Sequence, residues 1–320
     1  MLPAMSSGST WTASRARAVD QIAGDDGVVV GAAVDHRDSL SVALRRRGLP
    51  DPSPEALTEL KVRIASVLAP AASVVLLDAE FSAAQALAAG AVPRRTGLVV
   101  PLEAQGYGDG GDIRRTSLLP GWDPQKAAAL GACGCKLLLP YRPDLPEQRG
   151  HQDEVVEQVA RACRRAGVAL VLEPIVYPRD REELSPERFS ELVTETAAQL
   201  ARFRPEILKL QYPGSAAACA DVDRACGPEV PWVLLGGGAD AEILIGQIEE
   251  ACAAGASGFI VGRTLFDPGL VADAEASVRA LREESVPMFA RMAAAARRRA
   301  RPWRERVGAI PAPALGWYRD

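Results

Sequence analysis

The chain has 320 residues, 48% of them hydrophobic and 24% charged, which gives ample core for one large domain or two smaller ones. Its net charge of -4 supplies no basic field to hold nucleic acid, so no nucleic-acid partner is expected. No apolar run is long enough to cross a bilayer, so no membrane partner is expected either.

In chain order, residues 1–20 come first. They are rich in Ser, Thr and Ala, lack the apolar centre of a signal peptide, and read as a disordered lead. The body of the chain, 21–300, alternates short apolar runs with helical patterns. Strands are predicted over 28–34, 74–77, 96–102, 135–139, 169–176, 207–212, 232–235 and 258–261. Alanine-rich amphipathic stretches between them, such as 152–166, 186–203 and 241–254, predict helices. The strand runs are apolar along most of their length, as parallel strands covered on both faces are. Eight β/α repeats predict a closed (β/α)₈ TIM barrel in a single domain. A doubly wound open sheet is the runner-up, but no G-x-G-x-x-G follows the first run.

Two stretches leave the repeat. Residues 106–122 form a long Gly-rich connection after the third strand, and long loops in compact domains are commonly functional. After Asp267 a helical extension runs to about residue 300, where Arg297-Arg298-Arg299 read as a solvated, dipole-complementing end. Residues 301–320, with Pro302, Pro311, Pro313 and two tryptophans, read as an extended arm suited to packing on a neighbouring subunit of a homo-oligomer. The six cysteines form no C-x-x-C pair and read as small buried hydrophobes in a reducing cytoplasm.

Only four of the 37 basic residues are lysines, and two of the four, Lys136 and Lys209, sit inside apolar strand runs. Arginine keeps its proton near neutral pH, whereas a desolvated lysine can lose one and attack a carbonyl to form a Schiff base. Barrel chemistry gathers at the carboxyl ends of the strands. There the first strand ends in Asp35-His36-Arg37, the second in Asp78-Ala79-Glu80 and the third in Glu103. The fourth carries Lys136, the fifth Glu173, and the sixth Lys209 with Gln211. The seventh runs into Gly236-Gly237-Gly238 and the eighth into Gly262-Arg263, a place where many barrels hold phosphate. Side chains alternate along a strand, so Leu208 and Leu210 facing the helices would turn Lys209 inward, with Lys136 and Glu173 converging on it.

Each residue also has a plainer reading. Glu173 suits neutralising a buried lysine as well as acid/base work. Asp35 and Asp78 suit capping helices or holding the rim, His36 suits rim hydrogen bonding, and the glycines suit a turn. His36 and His151 are the only histidines, which argues against a zinc site, so no metal is expected. An all-carboxylate magnesium site stays open on sequence grounds.

Over roughly 28–270 the chain resembles the class I aldolases of the tagatose 1,6-bisphosphate aldolase family, which includes the sulfofructose-phosphate aldolases. The resemblance rests on Ala33-Val34-Asp35-His36-Arg37, Leu76-Leu77-Asp78-Ala79-Glu80 and Leu102-Glu103-Ala104-Gln105-Gly106-Tyr107. It continues through Leu118-Leu119-Pro120-Gly121-Trp122, Cys135-Lys136-Leu137-Leu138, Leu172-Glu173-Pro174, Ile207-Leu208-Lys209 and Gly262-Arg263-Thr264-Leu265. It implies a Schiff-base nucleophile at Lys209, a second active-site lysine at Lys136 and an acid/base glutamate at Glu173. Asp35 would lie near the substrate hydroxyls, and the Gly237 and Arg263 loops would receive a phosphate. The implied reaction is reversible cleavage of a phosphorylated ketose to dihydroxyacetone phosphate and an aldehyde, without a cofactor. Arg37, Asp78, Glu103, Gln211 and Gly238 join Asp35, His36, Gly237 and Arg263 as candidate substrate-binding residues.

Two departures bear on the substrate. The family usually shows Asp-Gln-Arg-Gly after the first strand, where this chain has Asp35-His36-Arg37-Asp38. Its three glycines after strand seven replace a Ser-Ala-Gly type of turn. An imidazole near its ordinary pKa of about 6.5 would favour an anionic substituent in mild acid. Two other readings stand beside the aldolase: a phosphosugar isomerase or epimerase with Glu173 as base, and a barrel that binds a sugar phosphate without turning it over.

Overall fold

The computed structural model describes residues 11–106 and 112–317. Eight parallel strands close into a barrel in sequence order: β1 (Val29–Ala33), β2 (Val74–Leu76), β3 (Gly97–Pro101), β4 (Gly134–Pro140), β5 (Ala169–Ile175), β6 (Ile207–Leu210), β7 (Trp232–Leu235) and β8 (Gly258–Val261). Closure comes from β1 pairing with β8, Val29 opposite Gly258. Helices follow the strands, and the chain is the TIM barrel that the repeat pattern predicts, with a C-terminal helical extension.

The alternation of side chains sorts the core into two apolar groups. Leu137, Leu139, Leu170, Leu172, Leu208 and Leu210 face the helices. Val29, Ala33, Val74, Leu76, Val99, Ala169, Val171, Ile207, Val233 and Ile260 fill the inside of the barrel. Residues two positions beyond this filling, toward the carboxyl ends, share its inward parity. Lys209 follows Ile207, Glu173 follows Val171 and Asp35 follows Ala33 in this way, so the interior changes from apolar to ionic partway up.

The apolar end needs a cover, and the residues expected as a disordered lead supply it. Positions 1–10 lie outside the described residues. From Trp11 onward the expectation is corrected: Ala13–Ala23 is a helix, and the Thr12 side chain accepts from the Arg15 N–H as its cap. Val19, Ile22 and Ala23 are fully buried against the barrel floor. Each large aliphatic side chain so covered contributes roughly 1.5–3 kcal/mol. The approach is close enough that a Cβ on Gly97 would come within 2.3 Å of the Gln21 carbonyl oxygen.

The arm expected over 301–320 is also partly corrected. Trp303–Val307 is a short helix whose Trp303 is fully buried and lies 5.1 Å, ring to ring, from Trp11. Arg306 pairs with Asp223 and donates to the Gly227 carbonyl, which ties the arm to the same floor. Residues 318–320 lie outside the described residues. The helix expected from 152 begins at Pro146, so His151 sits within Pro146–Ala166. The connection after β3 includes 107–111, outside the described residues; its flanks are held by a bridge between Glu103 and Leu118.

Candidate active site

Two strand ends, after β1 and β3, and three strands, β4, β5 and β6, bring five ionisable side chains together inside the barrel mouth. The Lys136 ammonium lies 2.6 Å from an Asp35 oxygen, 2.7 Å from Glu103 and 3.4 Å from Glu173. Lys209 lies 2.7 Å from the other Glu173 oxygen. All five are buried, and they line one cavity of about 320 Å³ with His36, Arg37, Asp38, Ser39, Ala104, Gln105, Gly106 and Leu138. Three carboxylates therefore converge on one ammonium. Among the described residues, no group of three or more His, Cys, Asp or Glu is arranged to hold a metal ion.

The two lysines are held differently. Burial alone pushes the Lys136 amine down, but Asp35, Glu103 and Glu173 outweigh it and hold the ammonium well above its ordinary range. Among the described residues, Lys209 has one ion-pair partner, Glu173. Burial favours the neutral acid at Asp35, yet Lys136, His36 and Lys209 together hold its carboxyl well below the usual carboxylate range. At Glu103 burial prevails over Lys136, and the carboxyl is raised. Its second oxygen accepts from the Leu138 N–H at 3.1 Å.

His36 faces the cavity with its ring edge-on to Phe266, 5.1 Å between centroids. Burial pushes the imidazole down to about 4, because the pull of Asp35 is opposed by Lys136 and Lys209. The expectation of a charged imidazole near pH 6.5 is therefore corrected to a neutral ring. Its Nδ1 is buried without a hydrogen-bond partner, 3.9 Å from Asp35 Oδ1.

Arg37 also lines the cavity, but its terminal nitrogens are committed to the rim. One pairs with Glu80, and the other donates to the Glu103 carbonyl at 2.8 Å. Asp78 and Gln211 are engaged outside the cavity. Asp78 is fully buried beside β2; it pairs with Lys61 and accepts from the N–H groups of Glu80 and Phe81 and from the Ser82 hydroxyl. Past the end of β2 the chain turns, and this local capping takes the carboxylate away from the cavity. Gln211, just beyond β6, braces the end of β5, accepting from the Val176 N–H at 2.7 Å and donating to its carbonyl at 3.3 Å.

Gly238 and Arg263 line a neighbouring groove that shares Ser39 with the cavity. Arg263 is exposed and donates to the Gly237 carbonyl at 2.6 Å, and it lies directly over Gly238. Gly237 and Gly238 both adopt positive φ, +58° and +82°, so glycine suits this turn for its own sake.

Lys61 is absent from the sequence-derived set. The signal was there: it belongs to the helix Pro54–Leu68, on the same stripe as Leu57, Leu60, Ile64 and Leu68. A lysine on an apolar stripe of a chain that uses so few lysines marks a buried amine.

The pattern of the DeoC/LacD family of aldolases matches residues 22–267. A tagatose 1,6-diphosphate aldolase 2 of Streptococcus mutans serotype c is 26% identical over 276 residues, 77% of this chain and 82% of that protein. A tagatose 1,6-diphosphate aldolase of Staphylococcus haemolyticus is 24% identical over 291 residues, 83% of this chain and 89% of the other. Two solved structures share the fold. An archaeal fructose-1,6-bisphosphate aldolase, solved with its catalytic Lys bound to the carbinolamine intermediate, gives a TM-score of 0.62 at 18% identity, covering 88% of this chain and 99% of its own. A fructose-bisphosphate aldolase from Slackia heliotrinireducens gives 0.62 at 16%, covering 88% and 90%.

Proposed function

This chain belongs to the DeoC/LacD family of aldolases, and we propose that it cleaves and forms a carbon–carbon bond of a phosphorylated ketose through an imine on Lys209. The observation that carries the choice of lysine is the unequal pairing. Lys136 is surrounded by three carboxylates that keep it an ammonium, while Lys209 shares a single carboxylate whose other oxygen is free of hydrogen bonds.

Glu173 takes a proton from the Lys209 ammonium 2.7 Å away, which frees the amine. The amine attacks the keto carbon, the protonated Glu173 gives its proton to the departing carbinolamine hydroxyl, water leaves, and a protonated imine results. Glu173, deprotonated again, removes the proton of the C4 hydroxyl; the C3–C4 bond breaks and its electron pair passes into the iminium. The aldehyde leaves, and protonation and hydrolysis of the enamine release dihydroxyacetone phosphate and Lys209. Lys136 and Asp35 offer a fixed cation and a fixed carboxylate to the substrate hydroxyls. The Gly237 turn and Arg263 offer donors to the phosphate, whose binding orients the ketone. The relatives that act on tagatose 1,6-diphosphate support a ketose phosphate as substrate. Six free, buried cysteines support a cytoplasmic setting.

The test is reductive trapping. The protein incubated with dihydroxyacetone phosphate and borohydride should gain one reduced adduct that maps to Lys209 after digestion. An adduct on Lys136 with Lys209 unmodified overturns the assignment, and no adduct with any ketose phosphate overturns the imine.

A further inference from the structure

We propose that Lys61 is a positioning residue of the active site, holding the His36 carbonyl and with it the peptide link through which Asp35, His36 and Arg37 enter the cavity. Among the described residues, the hydrogen bonds of Lys61 go to the Asp78 side chain and the His36 backbone, and to no cavity-lining side chain. It is fully buried, as is Asp78, its ion-pair partner. A buried ion pair is seldom a net gain over apolar side chains of the same volume, so stability alone is a poor account of a lysine on this stripe. What the ammonium adds is the ability to donate to two acceptors at once. One is Asp78, after β2; the other is the His36 carbonyl, after β1, at 2.8 Å.

The bonds continue from there. Asp78 accepts from the Glu80 N–H at 3.1 Å, the Phe81 N–H at 2.8 Å and the Ser82 hydroxyl at 2.6 Å, which fixes the turn that carries Glu80. Glu80 pairs with Arg37, and Arg37 donates to the Glu103 carbonyl at 2.8 Å. One amine outside the cavity thus begins a set of bonds across the ends of β1, β2 and β3. Those ends carry Asp35 and Glu103, the two carboxylates closest to Lys136, at 2.6 and 2.7 Å. Backbone order at His36 is then set from beneath, while the ring above is confined by Phe266 and by Gly262, where a Cβ would meet the imidazole at 2.5 Å. Without Lys61 the His36 carbonyl loses its donor and the peptide plane is free to turn.

The kinetic part of the test rests on the aldolase reading; the spectroscopic part does not. The chain has two histidines, so ¹⁵N-histidine labelling of the full-length protein gives two imidazole systems, assigned by the signal lost in His36→Gln. Two variants are made: Lys61→Met, and Lys61→Met with Asp78→Asn, which strands no charge and keeps an oxygen for the turn. In folded variants the His36 signals should shift and broaden while those of His151 stay in place. Borohydride trapping of dihydroxyacetone phosphate should persist within a few-fold, and kcat/KM for cleavage of a ketose phosphate should fall at least tenfold. Unchanged His36 signals with unchanged cleavage per folded molecule overturn the proposal, as does failure of both variants to fold, which makes the pair structural only. Absence of trapping in the wild type sinks the aldolase reading and leaves the His36 spectrum to decide on Lys61.

Discussion

Two buried lysine–carboxylate groups lie within the same end of this barrel, and they differ in what they face. Around Lys136 and Lys209 the ions line a cavity, and one Glu173 oxygen has no hydrogen bond. Around Lys61 and Asp78 nothing is exposed, and the aspartate oxygens are engaged by the ammonium, two N–H groups and a hydroxyl. Similar chemical groups therefore serve opposite ends. A saturated pair resists proton movement and fixes geometry, whereas a carboxylate left with spare acceptor capacity next to an amine can exchange a proton with it.

The largest effect should come from removing the amine that faces the cavity. Lys209→Arg keeps the charge beside Glu173 but supplies a group that stays protonated. Turnover should drop by about 10⁴–10⁶-fold, the scale of losing a covalent nucleophile, and no adduct should form with borohydride. Residual turnover near the wild-type rate would erase the distinction between the two groups. Glu173→Gln comes next. It keeps the size and removes the base, so cleavage should slow by roughly 10²–10⁴-fold. Slow trapping on Lys209 should still be detectable over long incubation, which separates proton transfer from imine formation.

Lys136→Met strands Asp35 and Glu103 around an apolar side chain and should destabilise the fold by about 3–5 kcal/mol, read by denaturant unfolding. Its pH course is fixed by sign. The Lys136 ammonium is held above its ordinary 10.5, so its contribution is full below that value and fades as pH rises through the folded one. Asp35 is held below its ordinary 3.8, so its contribution is present above that value and is lost as pH falls through the folded one. Burial already raises Glu103 beside the ammonium, so in the variant Asp35 and Glu103 should take up protons, and the gap between wild type and variant should widen as pH rises above about 4. A gap that stays flat between about pH 4 and pH 8 would mean that stranded carboxylates are not what destabilises the variant.

The contrast between the two groups was half legible in the sequence. Lys136 and Lys209 interrupt leucine-rich strands, and a period of two settles which face they share, so strand parity alone turned them inward. Lys61 occupies a helix, where a single lysine ordinarily reads as solvated, and only its register with Leu57 and Ile64 gives it away. Asp78 and Gln211 show where parity fails. Both lie past the last paired residue of a strand, where the backbone turns and local hydrogen bonding takes over. The helix beneath the barrel was hidden for another reason: Ala13–Ala23 mixes arginines with alanines, and only the apolar floor above makes its Val19 and Ile22 a buried face.

Arg263→Ala tests whether the ionic end extends into the adjoining groove. The guanidinium is exposed and already donates to the Gly237 carbonyl, so a phosphate contact there would be charge-assisted but partly screened. Loss of about 1.5–3 kcal/mol in binding a phosphorylated ketose is expected, with little change for the unphosphorylated sugar, by calorimetric titration. Equal losses for both sugars would make Arg263 a support for the Gly237 turn.

The smallest effect should come from His36, and its form matters more than its size. The ring is neutral down to about pH 4, so between pH 5 and pH 8 it acts by shape and hydrogen bonding, with one donor and one acceptor. Its Nδ1 is buried and unpartnered, 3.9 Å from Asp35 Oδ1. A glutamine there would offer one acceptor and two donors on a longer, flexible stem. His36→Gln should therefore change the ratio of kcat/KM between tagatose 1,6-bisphosphate and other ketose phosphates by roughly three- to tenfold, the worth of about one neutral hydrogen bond. The shift should favour tagatose 1,6-bisphosphate, trapping on Lys209 should be unaffected, and the ratio should be the same at pH 5.5 and pH 8. A wild-type ratio that differs between those two pH values, and loses the difference in His36→Gln, would show a charged imidazole and overturn the neutral assignment. A ratio that the substitution leaves untouched at both would confine His36 to the rim, and substrate choice would then rest with the fixed charges of Asp35 and Lys136 beside it.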